Sequence, residues 1–375
     1  MTQIFDKRNS NTNTLHDIIK DIEREWYASM SASMSKTMWE KPLYSGKQIE
    51  KAGKIIANPN ILYTEKIDSY KILNNWRAAH AYPLQIITSN LRIKNKNAIV
   101  VQRLKRLDSI VGKLSRFPDM NLYRMQDLGG CRVILDNIDQ VYASVNAYKN
   151  SRVRHILKRE YDYIQSPKTS GYRSYHMVYQ YHSDKNDTYN HHMLIEIQFR
   201  TKLQHIWATA LETMGVYTKT QLKASQGDKD VLRFFTLVSS YFALQEAMPT
   251  CPNTPTTEKE LISEIKEIDK KQQIVSRLSA LSTAINYVQT RKNDKEYEYY
   301  LLILNFQERR LQIKKFNQEN IGLATTIYDR LEAESRKDID VVLVSASSFK
   351  ELKAAYPNYF ADISQFVTTM RNILD

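Results

Sequence analysis

Residues 127–135 read Asp127-Leu-Gly-Gly-Cys-Arg132-Val-Ile-Leu135. An acid leads into a Gly-Gly passage, and an apolar run of strand length, Cys131 to Leu135, follows it. An Asp entering a strand beside bare backbone suits a Mg²⁺ ligand. Taken alone, the stretch reads equally as a turn-forming Asp before an ordinary strand. Further along, Leu194-Ile-Glu196-Ile-Gln198-Phe-Arg200 alternates strictly. Period two places Ile195, Ile197 and Phe199 on one face and Glu196, Gln198 and Arg200 on the other. A carboxylate set between an amide and a guanidinium is a candidate metal ligand or general base. A half-exposed strand with a salt bridge is the plainer alternative. Between these two stretches lie a helical pattern at 139–149 and strand patterns at 153–158 and 174–180. This middle region is therefore α/β in class.

Two more segments flank those strands. The spacing of Leu104, Leu107, Ile110, Val111 and Leu114 predicts one helix over 101–116. On it Lys105, Ser109 and Lys113 fall at i, i+4 and i+8, one polar stripe able to hold a triphosphate or simply to face solvent. Residues 162–176 read DYIQSPKTSGYRSYH. A loop carrying Lys168, Tyr172 and Arg173 can stack a base and neutralise phosphate. A hairpin loop with snorkelling aromatics has the same composition. A helix at 202–215 closes the region.

Outside it, helices are expected at 15–30, 45–57 and 67–86, as an N-terminal extension over residues 1–85. The domain with the motifs covers 86–250 and ends with a helix at 228–247. Pro249 to Thr257 is the clearest linker. A C-terminal segment, 258–375, begins with the spacing of one long helix over 258–291. It continues as a small α+β unit with strands at 299–306, 311–315 and 340–344, a helix at 317–335 and two closing helices. The chain has 375 residues, a formal charge of +13 and a sequence pI near 9.4. By region the charge is +3 over 1–90, +10 over 91–220 and zero over 221–375. A polyanion is thus expected at the middle third and not at the C-terminal third. With 42% hydrophobic and 25% charged residues the chain reads as globular rather than disordered. Two cysteines, Cys131 and Cys251, exclude a disulfide framework. With no apolar N-terminal segment and no membrane-length run, a cytoplasmic location is expected.

Taken together and in this order, the RxKxxxSxxxK, DxxxxR, KxxGYRSxH and ExQxR segments resemble the synthetase domain of the RelA/SpoT alarmone synthetases. The resemblance implies a nucleotidyltransferase-like mixed sheet flanked by helices, and transfer of the β,γ-pyrophosphate of ATP, with Mg²⁺, to a 3′-hydroxyl. It implies Arg103, Lys105, Ser109, Lys113 and Arg132 as ATP-binding residues. Asp127 and Glu196 become the catalytic metal ligands, Glu196 also placed to help deprotonate the attacking hydroxyl. Tyr172 would stack on the acceptor base, with Lys168, Arg173, His176, Gln198 and Arg200 around its phosphate or ribose.

The loop departs from the family's usual KPNGYRS in reading Lys168-Thr-Ser170-Gly-Tyr-Arg-Ser174, which bears on recognition of a guanine nucleotide. No His-Asp pair of a hydrolase half is visible. The tail carries Tyr356-Pro-Asn-Tyr359 and lacks zinc-binding cysteines. In this it resembles the fused toxic small alarmone synthetases of the capsid-sensing type, with a degenerate zinc-finger-like α+β tail. That resemblance implies an autoinhibitory Tyr356 and Tyr359 plugging the ATP site, release by a phage capsid or other phage protein, and pyrophosphate transfer to the 3′ CCA end of tRNA. Membrane and DNA are not expected partners. The alternative expectation is a small alarmone synthetase making (p)ppGpp or (p)ppApp; a catalytically inert RNA-binding regulator would have no use for the Asp127 and Glu196 pair.

Overall fold

A computed structural model describes residues 19–25, 39–218, 227–282, 286–288, 298–305, 310–333, 339–356 and 363–374. After a helical stretch at 19–25 come three helices, α1 (Gly46–Ala57), α2 (Ile67–Ala79) and α3 (Ala81–Lys94). The central α/β run is β1 (Ile99–Leu104), α4 (Leu107–Arg116), β2 (Gly129–Leu135), α5 (Ile138–Lys149), β3 (Ile156–Asp162), β4 (Tyr175–Gln180), β5 (Leu194–Thr201) and α6 (Lys202–Thr218). Then follow α7 (Lys229–Gln245), α8 (Glu258–Gln272), α9 (Ile274–Ser282), β6 (Asn286–Val288), β7 (Tyr299–Asn305), β8 (Arg310–Phe316), α10 (Ile321–Ala333), β9 (Ile339–Ser345), α11 (Phe349–Ala355) and α12 (Ser364–Leu374).

The strands form one mixed sheet of nine, in the order β3-β4-β5-β2-β1-β9-β7-β8-β6. β2 and β5 run parallel and so do β6 and β8; the other neighbours are antiparallel. On one side of the central strands, Val100, Leu104, Cys131, Val133, Ile195, Ile197 and Phe199 pack with α3 and α5. The opposite side carries Arg103, Arg132, Glu196, Gln198 and Arg200, along with the apolar Val101 and Ile134. The C-terminal strands join the same sheet, because β9 pairs with β1 at Gln102–Ser345 and Arg103–Val344. Arg92 donates to Ser345 Oγ at 3.1 Å, and the Tyr299 hydroxyl donates to Gln85 Oε1 at 2.8 Å across this seam. β7 is buried at all seven positions, which is why Tyr299 to Leu304 is continuously apolar. Its alternate residues feed two cores, one shared with Val101, Ile134 and Tyr356 and one with Ile19, Ile22 and α10.

Three expected helices come out differently. The helix expected over 101–116 is a strand followed by a shorter helix. β-branched Val100 and Val101 favour the strand, and the Lys105 N–H extends its pairing to the Leu128 carbonyl at 2.8 Å. The pattern over 67–86 divides at His80, where Pro83 cannot donate to a continuing helix. The pattern over 258–291 breaks at Gln273, which takes a left-handed conformation at φ 53°; Asp269 Oδ1 then accepts from the Val275 N–H at 2.9 Å and starts α9. The α+β strands of the tail extend the main sheet rather than forming a sheet of their own. Among the described residues no cluster of three or more His, Cys, Asp or Glu could hold a metal, so no zinc-finger-like centre is seen there. No helix of the described residues is long and apolar enough to cross a membrane.

Candidate active site

The register of the central strands sets the site. Arg103 on β1 lies opposite Gly130 on β2, and Gly130 opposite Glu196 on β5. One pair along, Val101, Arg132, Gln198 and His176 form a row across β1, β2, β5 and β4. Paired residues project to the same side of a sheet, so these side chains share the face turned away from α3 and α5. Gly130 leaves bare backbone between Arg103 and Glu196. At its neighbour Gly129 a Cβ would stand 2.8 Å from Ile195 Cδ1, so the tip of that side chain would have to move aside.

Asp127 enters β2 and receives two ammonium groups, Lys105 Nζ at 2.8 Å and Lys113 Nζ at 3.1 Å. The two lysines therefore converge as the sequence suggests, although Lys105 precedes α4 and only Ser109 and Lys113 lie on it. Burial pushes the Asp127 carboxyl upward, but the two lysines outweigh it and hold the group below the usual carboxylate range.

Glu196 anchors a second chain of polar groups. His176 Nδ1 lies 2.9 Å from Glu196 Oε1, and Gln198 Nε2 donates to Glu196 Oε2 at 2.6 Å. Arg200 Nη2 donates to Gln198 Oε1 at 2.9 Å and to the Tyr172 hydroxyl at 2.6 Å. That hydroxyl lies 2.8 Å from His176 Nε2 and closes the ring of contacts. Burial would lower the His176 pKa; the Tyr172 hydroxyl and the Glu196 carboxylate instead raise it to about 9. The imidazole is then cationic at neutral pH and both of its nitrogens donate. Glu196, although burial and Asp127 push it upward, is held below its usual range chiefly by His176. Lys168 Nζ sits 4.3 Å from the Tyr163 ring centroid and 5.5 Å from that of Tyr172. Gly171, at φ 86°, lets the loop lie on Trp207 and Ser239, where a Cβ would stand within 2.9 Å and 3.1 Å.

Asp127, Glu196, Arg103, Lys105, Arg132 and Gln198 line one cleft, together with Tyr356 from the end of α11. Arg132 Nη1 donates to the Ala355 carbonyl at 3.4 Å, and the Tyr356 hydroxyl to the Gln102 carbonyl at the same distance. The space left is about 90 Å³, below the roughly 300–1,000 Å³ of ligand pockets. Among the described residues, Arg132 Nε and Arg200 Nε and Nη1 are buried donors without a partner. Burial, with Arg200 nearby, pushes the Arg132 guanidinium down to about 10. Unpartnered guanidinium donors are costly unless an anion completes them.

One expected acceptor residue is turned elsewhere. Arg173 is 3% exposed. Its guanidinium donates to Ser239 Oγ at 3.1 Å, to the Ile164 carbonyl at 3.0 Å and to the Pro249 carbonyl at 2.6 Å. It clamps the loop to α7 and the linker instead of facing an acceptor; in this loop ahead of β4, Tyr172 turns instead to His176 and Arg200. Tyr359 lies outside the described residues. Tyr163, not among the residues expected from sequence, joins the site: its ring contacts Lys168, Tyr172 and His176, and the sequence signal for it is the period-two pair Tyr161 and Tyr163, stacked at 5.6 Å.

A match to the family described as the region found in RelA / SpoT proteins spans residues 102–222. The GTP pyrophosphokinase YjbM of Bacillus subtilis (strain 168) is 35% identical over 112 residues, 29% of this chain and 52% of that protein. YwaC, a GTP pyrophosphokinase of the same organism, is 34% identical over 113 residues, 28% of this chain and 52% of that protein. The chain thus spans about half the length of these curated relatives. Among solved structures, small alarmone synthetase 2 from Bacillus subtilis aligns at 23% identity and a TM-score of 0.39, over 46% of this chain and 93% of that one. A GTP pyrophosphokinase family protein from Streptococcus pneumoniae aligns at 24% identity and a TM-score of 0.38, over 52% of this chain and 93% of that one. The family match encloses Arg103 through Arg200 and leaves Tyr356 outside. This chain therefore carries a RelA/SpoT domain, at residues 102–222.

Proposed function

We propose that the chain is a pyrophosphokinase of the RelA/SpoT type that moves the β,γ-pyrophosphate of ATP to the 3′-hydroxyl of a nucleotide, as an alarmone synthetase does. The observation that carries this reading is the cleft itself. Asp127 at the entry to β2 and Glu196 on β5, both ionised, meet Arg103, Lys105 and Arg132 there, Lys113 also reaches Asp127, and Arg132 Nε stands buried without a partner. Transfer between phosphates depends on alignment and charge neutralisation more than on covalent chemistry. This set of groups supplies both. The curated relatives, named as GTP pyrophosphokinases, support the same reaction class.

Mg²⁺ fits the donor set. It binds through one or two carboxylates completed by substrate phosphates rather than in an all-protein cage, and two carboxylates without a third metal-ligating partner are what the described residues offer. Asp127 and Glu196 would hold the ion, which would neutralise charge on the transferred group. Lys105, Lys113, Arg103 and Arg132 would bind the donor phosphates, and Ser109 borders them on α4. The lowered pKa of Glu196 makes it a better ligand than base. His176, Gln198 and Arg200 hold Glu196 and the Tyr172 hydroxyl in place, leaving the Tyr172 ring and Lys168 to meet the acceptor. Tyr356 closes the donor end, which supports an autoinhibited resting state. Asp127→Asn or Glu196→Gln, placed in a Tyr356→Ala chain, should cut transfer of label from γ-labelled ATP by about 100-fold or more; label transfer unchanged in either variant would remove the reading.

A second reading replaces the nucleotide acceptor with the 3′ end of tRNA, released by a phage protein. The parallel stack of Tyr161 and Tyr163 beside Tyr172 favours it, because successive aromatic rings suit a single-stranded end. Ser170 in place of the usual Asn points the same way.

A further inference from the structure

The helix that carries Ser109 and Lys113 does not cap itself. Arg106 occupies the N-cap of α4 with no side-chain hydrogen bond to the helix, leaving the first N–H groups in need of an acceptor. That acceptor comes from far along the chain: Glu332, on α10, receives the Leu107 N–H on Oε1. The other oxygen of Glu332 receives Arg77 Nη1. Arg77, on α2, is 1% exposed. Its Nη2 donates to Asp329 Oδ1 at 2.6 Å, and its Nη1 reaches the Lys105 carbonyl at 3.4 Å. Arg106, between these two points, pairs with Asp340 on β9. Lys105, Arg106 and Leu107 form the turn from β1 into α4. Each is thus held, directly or through Arg77, by carboxylates of the C-terminal third.

The turn matters because Lys105 precedes it and Lys113 follows it, and both converge on Asp127. A shift of α4 against β1 would separate them. We propose that Glu332, with Asp329, is a positioning residue for the donor-phosphate cluster, capping α4 from the tail and fixing the Lys105 backbone through Arg77. The C-terminal third then has two opposed roles. Tyr356 obstructs the cleft while Glu332 builds it, so removing the tail would cost the site its geometry along with its plug.

This inference rests on reading the cleft as the ATP donor site, and the test separates the two. In the full-length Tyr356→Ala chain, affinity for α,β-methylene-ATP with Mg²⁺ is measured by calorimetry, with GDP binding measured separately. Glu332→Gln should weaken the ATP analogue by about tenfold or more, the cost of losing a charge-assisted bond at a helix start, and leave GDP binding unchanged. If that variant fails to fold, the triple variant Arg77→Met/Asp329→Leu/Glu332→Leu replaces the whole buried ionic group with apolar side chains, an exchange that is often neutral for stability. It should still show the selective loss. Unchanged analogue affinity in a folded variant, or equal loss of both ligands, overturns the positioning role. Failure of the Tyr356→Ala parent to bind the analogue would instead remove the donor-site reading and this inference with it.

Discussion

Arg173 and Tyr172 are neighbours with opposite duties. Tyr172 Oη accepts from Arg200 at the edge of the site, while Arg173 ties Ile164, Ser239 and Pro249 together beneath it. Arg173→Met would leave two buried carbonyls and a hydroxyl without their donor. We expect a loss of about 3 kcal/mol in stability, read from the urea midpoint. A chain of unchanged stability that loses only acceptor affinity would return Arg173 to the acceptor site. At this scale the sequence was informative about which residues matter and less so about what each touches. Asp127, Glu196, Lys105 and Lys113 could be named only from the four segments taken together and in order, since each segment alone also reads as a turn, a salt-bridged strand or a solvent-facing stripe. Arg173 could not be sorted from Tyr172, because its partners lie on α7 and in the linker, more than sixty residues away in the chain. The Glu332 cap was illegible for the same reason.

At the scale of elements, the joints are where expectation and structure part. Hydrophobic spacing marked the helices but ran through His80, Lys105 and Gln273; at Lys105 the short apolar run of β1 merges with the helical spacing that follows it. His80 shows what such a joint contains. It is buried against the Trp76 ring, 4.7 Å between centroids, with Nδ1 2.7 Å from the Trp76 carbonyl. Burial drives its pKa down to about 4. The unfolded chain therefore binds a proton near pH 6.5 that the folded chain refuses. Stability should be complete above that pH and fall as pH drops from 6.5 towards 4, by at most about 3 kcal/mol from this residue. His205, driven down to about 3 by burial and by Arg132 and Arg200, adds to the same trend. Denaturation midpoints between pH 7 and pH 4.5 check this: His80→Gln should flatten the profile, and an equally steep profile in the variant would exclude His80 as a source.

For the whole molecule, the charge distribution gains a location. Within the +10 of residues 91–220, Arg103, Lys105 and Arg132 line the cleft and Lys113 reaches its Asp127, while the neutral tail supplies the carboxylates and the tyrosine that bear on it. The mixed α/β class was legible because alternating strands and helical patterns are local signals. The continuity of one nine-stranded sheet was not, since β9 reaches β1 through two residue pairs that no local pattern announces. The account as a whole turns on one assay, incubation of full-length wild-type and Tyr356→Ala chains with γ-labelled ATP, Mg²⁺ and either GDP, GTP or bulk tRNA. It predicts slow labelling of the nucleotide by the wild type and labelling about tenfold faster or more once Tyr356 is removed. Label on tRNA alone would transfer the account to its second reading. No ATP-dependent label on any acceptor from either chain would contradict it.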